Sequence, residues 1–201
     1  MGKMMILNGS PRAPRSNSKQ YAQIFSEKYE SETESYNISK NNHLELCEKM
    51  AGFSHVLLVF PLYADAIPVT LLHFLKTLEQ HPPITKPVIS VLINCGFLEY
   101  QQNEIAVEMI RLFCRQNGYR FGSVLKIGSG EAILGTPFRF LVVKKIKKLA
   151  VSIATGKYKT LHVTMPLPRR MFIAASTRYW TEYGRKNGIT KEQMETMQIE
   201  Q

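Results

Sequence analysis

Short, wholly apolar runs separated by amphipathic stretches organise this chain. Met4-Met5-Ile6-Leu7-Asn8, His55-Val56-Leu57-Leu58-Val59-Phe60 and Pro87-Val88-Ile89-Ser90-Val91-Leu92-Ile93-Asn94 carry apolar residues at successive positions. A strand with no polar face must be covered on both sides, as in a parallel sheet. Ser35-Tyr36-Asn37-Ile38 and Ser123 to Ile127 read as shorter strands. Between these runs the apolar spacing turns helical. A helix is expected from Lys19, carrying Tyr21, Ala22, Ile24 and Phe25, and a short one over Leu44 to Met50. Pro68 opens another, with Leu71, Leu72, Phe74, Leu75 and Leu78; its missing N–H costs nothing in a first turn. Glu104 to Asn117 places Ile105, Met109, Ile110 and Phe113 on one stripe and stops at Asn117-Gly118. Val142 to Ala154 reads as a further helix.

Strand and helix thus alternate from Met4 to about Thr155, which predicts an α/β fold with a doubly wound parallel sheet in three layers. Met165-Pro166-Leu167-Pro168-Arg169-Arg170 is a stiff extended connection, and Met171 to Trp180 looks helical. The expected division is residues 1–160 as the sheet domain and 161–201 as a C-terminal helical extension. The 201 residues, 44% of them hydrophobic, suffice for one substantial core. No apolar run reaches the roughly 18 residues of a membrane span, and the apolar stretch at the start is too short for a signal peptide, so a cytoplasmic location is expected. Cys47, Cys95 and Cys114 lie far apart and the five histidines form no metal-spaced pair, so reduced, structural thiols and no metal site are expected.

The net charge of +10 changes this picture only at one end. From Arg139 onward there are thirteen Lys/Arg against four Glu, whereas the preceding residues are nearly balanced. Between Phe138 and Val151 basic and apolar residues interleave at near-helical spacing, as on a surface helix that covers a core and points its lysines at water. An anionic partner, a membrane surface among them, is the less favoured alternative, and nucleic acid is not expected.

In a parallel α/β sheet ligands bind beyond the carboxyl ends of the strands, near the switch in strand order. Three segments occupy such positions. Gly9 to Ser18 offers Ser10, Ser16, Asn17 and Ser18 as short hydrogen-bonding side chains, Arg12 and Arg15 as cations, and a helix N-terminus directly after. That combination seats anions, although the same serines and asparagine also suit a helix cap. Pro61-Leu62-Tyr63-Ala64-Asp65-Ala66-Ile67-Pro68 is a Pro-bracketed loop with one aromatic, and Asn94-Cys95-Gly96-Phe97-Leu98-Glu99-Tyr100 adds a glycine and two more. A phosphate seat beside an aromatic slot suits a nucleotide-like ligand with a planar ring; Tyr63 and Phe97 as core aromatics are the plain alternative. Other phosphate sites fail on particular residues. There is no Gly-Lys-Ser/Thr. Gly128-Ser129-Gly130 has Ile133 where a dinucleotide fingerprint needs its third glycine. Cys95 has Gln101 where a phosphatase loop needs arginine, and the first strand lacks an acidic pair.

Gly9-Ser10-Pro11-Arg12 with Ser16-Asn17-Ser18, followed by Pro61 to Pro68, resembles the flavodoxin-like NAD(P)H-dependent FMN reductase and quinone reductase family over residues 3 to 155. The resemblance implies FMN as cofactor and NAD(P)H as co-substrate, with electrons passing to a quinone, a flavin or another small acceptor. It implies phosphate contacts from Ser10, Arg12, Ser16, Asn17 and Ser18. Pro61, Leu62, Tyr63 and Ala64 would meet the flavin ring from one side and Asn94, Gly96, Phe97 and Tyr100 from the other. Backbone N–H groups of Leu62-Tyr63-Ala64 or Gly96-Phe97 would stabilise the charge a reduced flavin gains. No catalytic acid or base is required; Tyr63, Glu99 and Tyr100 are the side chains best placed to donate a proton or gate access. A homo-oligomer, a dimer, is expected. The alternative is a non-enzymatic FMN carrier or regulatory module, docked by its basic C-terminal third to an anionic membrane. An isoelectric point near 9.6 weighs against that carrier, since dedicated flavodoxins are acidic.

Overall fold

The structure, a computed structural model, describes residues 2–12 and 15–196. Residues 13–14, within the first loop, and the end of the polar tail, 197–201, lie outside the described residues. The chain divides into two compact units, Met1–Met165 and Pro166–Gln201.

The first unit is a six-stranded parallel sheet in the order β2-β1-β3-β4-β5-β6. Its strands are β1 Met4–Asn8, β2 Thr33–Asn37, β3 His55–Pro61, β4 Val88–Asn94, β5 Phe121–Ile127 and β6 Thr160–Val163. The connecting helices are α1 Asn17–Lys28, α2 His43–Lys49, α3 Val69–Gln80, α4 Glu104–Gln116 and α5 Arg139–Ala154. The apolar runs are explained by two cores. Met5, Leu7, Val56, Leu58, Phe60, Ile89, Val91 and Ile93 join one cluster with Leu46 of α2, Phe74 of α3 and Ile110 of α4. The intervening Met4, Ile6, Leu57, Val59 and Leu92 are equally buried but lie outside that cluster, toward the side where α1 packs on α5. Successive strand residues point to opposite faces, so the central strands, covered on both sides, have almost no position left for water.

Two differences from the sequence reading bear on the site and on the extent of the sheet. The first helix begins two residues earlier than expected, at Asn17, because the Ser16 hydroxyl caps it by accepting from Lys19 N–H at 3.2 Å. The alternation does not stop near Thr155: β6 adds a sixth strand. Thr160-Leu161-His162-Val163 is too short and too polar to announce itself, as befits an edge strand. β5 also hides a charge. Lys126 is buried and pairs with Glu104 at the start of α4.

The second unit consists of α6, Arg169–Lys186, and α7, Lys191–Glu195. Thr190 caps α7 with a reciprocal capping box through Gln193, and the buried Gly184 lets Met194 approach the α6 backbone closely. The helix expected over Met171 to Trp180 is therefore longer than its apolar pattern. No described helix is long and apolar enough to cross a membrane.

Candidate functional site

The order β2-β1-β3 makes β1 and β3 the point where the winding reverses, and their carboxyl ends open a crevice between diverging loops. A cavity of 540 Å³ lies there. Its wall takes Ser10, Arg12, Arg15, Ser16, Asn17 and Ser18 from the first loop and α1, with Lys19, Gln20 and Gln23 one and two turns further. Pro61, Leu62 and Tyr63 follow β3; Asn94, Cys95 and Gly96 end and follow β4; and Glu131 follows β5.

The first loop is held from within. Ser10 is buried, donates its N–H to Asn8 Oδ1 at 3.1 Å, and accepts from Arg12 N–H at 3.3 Å. Asn8 is in turn tied to Asn37 of β2 at 3.0 Å. Ser16 caps α1, so its oxygen already serves the helix while its O–H remains a donor. Arg12 and Arg15 are exposed on the wall, and the N-terminus of α1 adds its partial positive charge. The capping role and the anion seat are not exclusive, because the cap orients the free N–H groups of the first turn.

Asn94 and Ser18, expected as flavin and phosphate contacts, both line the cavity and are also bonded to each other. Both are buried, and the Asn94 amide donates to Ser18 Oγ at 3.1 Å and to Phe60 O at 3.2 Å. They brace the crevice where β3, β4 and α1 meet. The donors expected in the Leu62–Ala64 turn are largely committed: Leu62 N–H bonds Asn94 O at 2.8 Å and Tyr63 N–H bonds Ala66 O at 3.1 Å. The Gly96 and Phe97 N–H groups have no hydrogen-bond partner among the described residues and remain available.

Tyr63 is presented by a two-residue reverse turn. Tyr63 and Ala66 exchange both backbone hydrogen bonds, with Ala64 at φ 46° and Asp65 at φ 56° between them. Two successive positive φ values are the signature of a type I′ turn, here built without glycine. Tyr63 is 40% exposed and Phe97 53% exposed, so neither is a core aromatic.

Ala64, Phe97 and Tyr100 are not brought to the cavity wall. Tyr100 instead stacks on His162 of β6, ring centroids 4.2 Å apart at 9°, with the Lys126 ammonium 5.7 Å from its centroid. Burial, then Lys145 and Lys126, hold the His162 imidazolium pKa below its ordinary value. Cys95 is on the wall, but its thiol points into protein, within 3.3 Å of Asn103 Nδ2, and burial raises its pKa. Burial likewise pushes Cys47 up to about 11 and Cys114 up to about 12, so the three are inert thiols. No cluster of three metal-ligating side chains occurs among the described residues.

The loop after β5, whose glycines do not complete a dinucleotide fingerprint, closes one side of the crevice. Tyr21 O–H donates to Gly130 O at 2.7 Å and Asn17 Nδ2 to Glu131 O at 3.3 Å, which docks the loop on α1. A Cβ at Gly130 would stand 2.8 Å from Asn94 Cβ and 3.1 Å from Cys95 O, so glycine there is required by close approach rather than by phosphate. The usable sequence signal was its position directly after a strand.

No protein-family model and no curated protein matches the sequence. Solved structures do. A NAD(P)H:quinone oxidoreductase from Methanothermobacter marburgensis superposes with a TM-score of 0.61 at 13% identity, over 76% of this chain and 96% of that one. An FMN-dependent NADH-azoreductase from Bacillus anthracis gives 0.57 at 15% identity, over 77% and 100%. A Streptococcus pneumoniae flavodoxin gives 0.57 at 12%, over 76% and 98%. Strand order, crevice and structural likeness agree: this chain has the flavodoxin-like fold.

Proposed function

We propose that the protein is an FMN-dependent oxidoreductase that takes hydride from NAD(P)H and passes electrons to a quinone, a flavin or another small acceptor. One observation carries the reading. Arg12, Arg15, the Ser16–Ser18 turn and the start of α1 share a single cavity with Pro61–Tyr63 and Asn94–Gly96, beyond the strand ends. Its 540 Å³ falls within the range of about 300–1,000 Å³ typical of cofactor sites. The lining cations Arg12, Arg15 and Lys19 outnumber the lone carboxylate of Glu131, which suits a phosphomonoester at one end.

Bound there, FMN would supply the two-electron chemistry; the chain's own contribution is to seat and polarise. The Ser10, Ser16 and Asn17 side chains and the first-turn N–H groups of α1 would hold the phosphate. Tyr63 and the Pro61-Leu62 backbone would cover the ring on one side. The unpartnered N–H group of Gly96, on the cavity wall, would meet negative charge developing on the ring, a role that needs no ionisable side chain. None of the cysteines is suited to redox exchange, so the reading leaves electron transfer to the cofactor.

The test is to purify the full chain, titrate it with FMN and riboflavin by absorption and fluorescence, and follow NADH and NADPH oxidation with quinone, azo and flavin acceptors. Tight FMN binding with acceptor-dependent oxidation of either nucleotide is expected. No flavin binding overturns the proposal, and binding without oxidation makes the protein a carrier.

A further inference from the structure

Helix α6 carries exposed aromatic residues along one side. Phe172, Ile173, Tyr179, Trp180 and Tyr183 recur at positions i, i+1, i+7, i+8 and i+11, which is one side of a helix. Ile173, Tyr179, Trp180 and Tyr183 are 51%, 61%, 45% and 54% exposed. The three rings touch one another: Tyr179 meets Trp180 edge-on at 5.2 Å, Trp180 meets Tyr183 edge-on at 5.9 Å, and Tyr179 stacks on Tyr183 at 6.4 Å. They form one continuous amphipathic plate whose hydroxyls and indole N–H want a wet boundary while their faces want apolar cover.

The charge beside the plate narrows what can cover it. Within α6 itself, Arg169, Arg170, Arg178, Arg185 and Lys186 stand against Glu182 alone. Arg170, Arg178 and Arg185 lie on the side away from the plate. A second copy of α6 would bring this same positive field against itself. A nucleic-acid strand would satisfy the cations and stack on the rings, but it offers nothing to the exposed aliphatic Ile173 on the plate's side. An anionic bilayer interface meets all three demands at once: a negative surface field that reaches across the roughly 10 Å helix diameter to the arginines, the polar boundary for Tyr and Trp tips, acyl chains for the apolar face. The helix is too polar to cross a bilayer, so it would lie in the plane of the surface.

We infer that α6 docks the protein onto anionic phospholipid. The inference stands on the C-terminal unit and does not depend on whether the crevice holds flavin.

Trp180 is the only tryptophan in the chain, so intrinsic fluorescence reports on the plate directly. The full-length protein is mixed with vesicles of phosphatidylglycerol plus phosphatidylcholine, and separately with phosphatidylcholine alone. With the anionic vesicles, a blue-shifted Trp180 emission, protection from an aqueous quencher and co-sedimentation are expected. Salt should reverse all three, because the screening length shrinks from about 10 Å at 0.1 M to about 3 Å at 1 M. Replacing Arg178→Glu and Arg185→Glu together should weaken vesicle binding by roughly tenfold or more, with the far-UV spectrum unchanged. The absence of a shift on anionic vesicles, or an equal shift on neutral ones, overturns the inference. So does a shift produced by single-stranded oligonucleotide in preference to lipid, or by raising the protein concentration alone, which would assign the plate to nucleic acid or to a second copy.

Discussion

The amide of Asn94 donates a 3.1 Å hydrogen bond to the hydroxyl of Ser18, joining the last residue of β4 to the first turn of α1 across the floor of the crevice. The same amide reaches Phe60 O at 3.2 Å, so one side chain fixes the spacing of β3, β4 and α1.

Replacing Asn94→Ala should cost about 1–3 kcal/mol, since it strands a buried hydroxyl and a buried carbonyl. Ser18→Ala should cost less, because the Phe60 bond survives it. The pair should be non-additive: once Asn94 is gone, Ser18→Ala has little left to lose. Urea unfolding of the four species in the cycle checks this, and simple additivity would show that the two do not act as one brace.

The turn that presents Tyr63 is strained, because Ala64 holds φ 46° with a Cβ that the left-handed region disfavours. Ala64→Gly should raise stability by about 1 kcal/mol, the relief exceeding the extra freedom gained by the unfolded chain. Ala64→Val should lower it, since a β-branched residue tolerates that region least. Thermal unfolding of both variants distinguishes turn strain from a packing effect, which would favour valine.

Phosphate recognition, if the proposed function holds, should rest on exposed cations rather than on the buried Ser18. The double variant Arg12→Ala with Arg15→Ala should weaken FMN by roughly tenfold or more while leaving riboflavin nearly unchanged. Fluorescence titration of both flavins measures the ratio. Equal weakening would mean that this loop does not hold the phosphate.

Burial holds the imidazolium pKa of His43 and His55 below the ordinary 6.5, as it does for His162. A folded-state value below the unfolded one means that the unfolded chain binds more protons as pH falls through 6.5. The contribution is thus complete above that pH and lost toward acid. Urea midpoints should therefore fall between pH 7.5 and pH 5, by roughly the range that a few partly buried histidines allow. His43 also leaves its Nε2 buried without a partner while its ring meets Phe74 edge-on. His43→Phe should keep the ring contact, remove the unsatisfied nitrogen, raise stability by about 1 kcal/mol and flatten the acid slope. An unchanged slope would clear His43 of any part in it.

The sheet was legible because its chemistry is local. A run such as Val56 to Phe60 has no polar face, so it can only lie between two apolar layers. The Gly9–Ser18 segment was legible for a similar reason, since hydroxyls, arginines and a helix start are contiguous in the chain. Other features were not. β6 carries too few apolar residues to be read without its neighbour, and it exists because β5 offers an open edge. Nothing near Asn94 or Ser18 in sequence reveals that they meet, 76 residues apart. Tyr100 turns to His162 instead of the crevice, and the loop of Gly130 and Glu131 turns toward it, for one reason: which post-strand loops converge depends on strand order and on close approaches such as Gly130 against Asn94. The layers and the basic, serine-rich loop follow from side chains adjacent along the chain and are therefore written in it. Which residues wall the cavity and which brace it is set by distances between strands that the chain reaches through separate crossovers, and so emerges on folding alone.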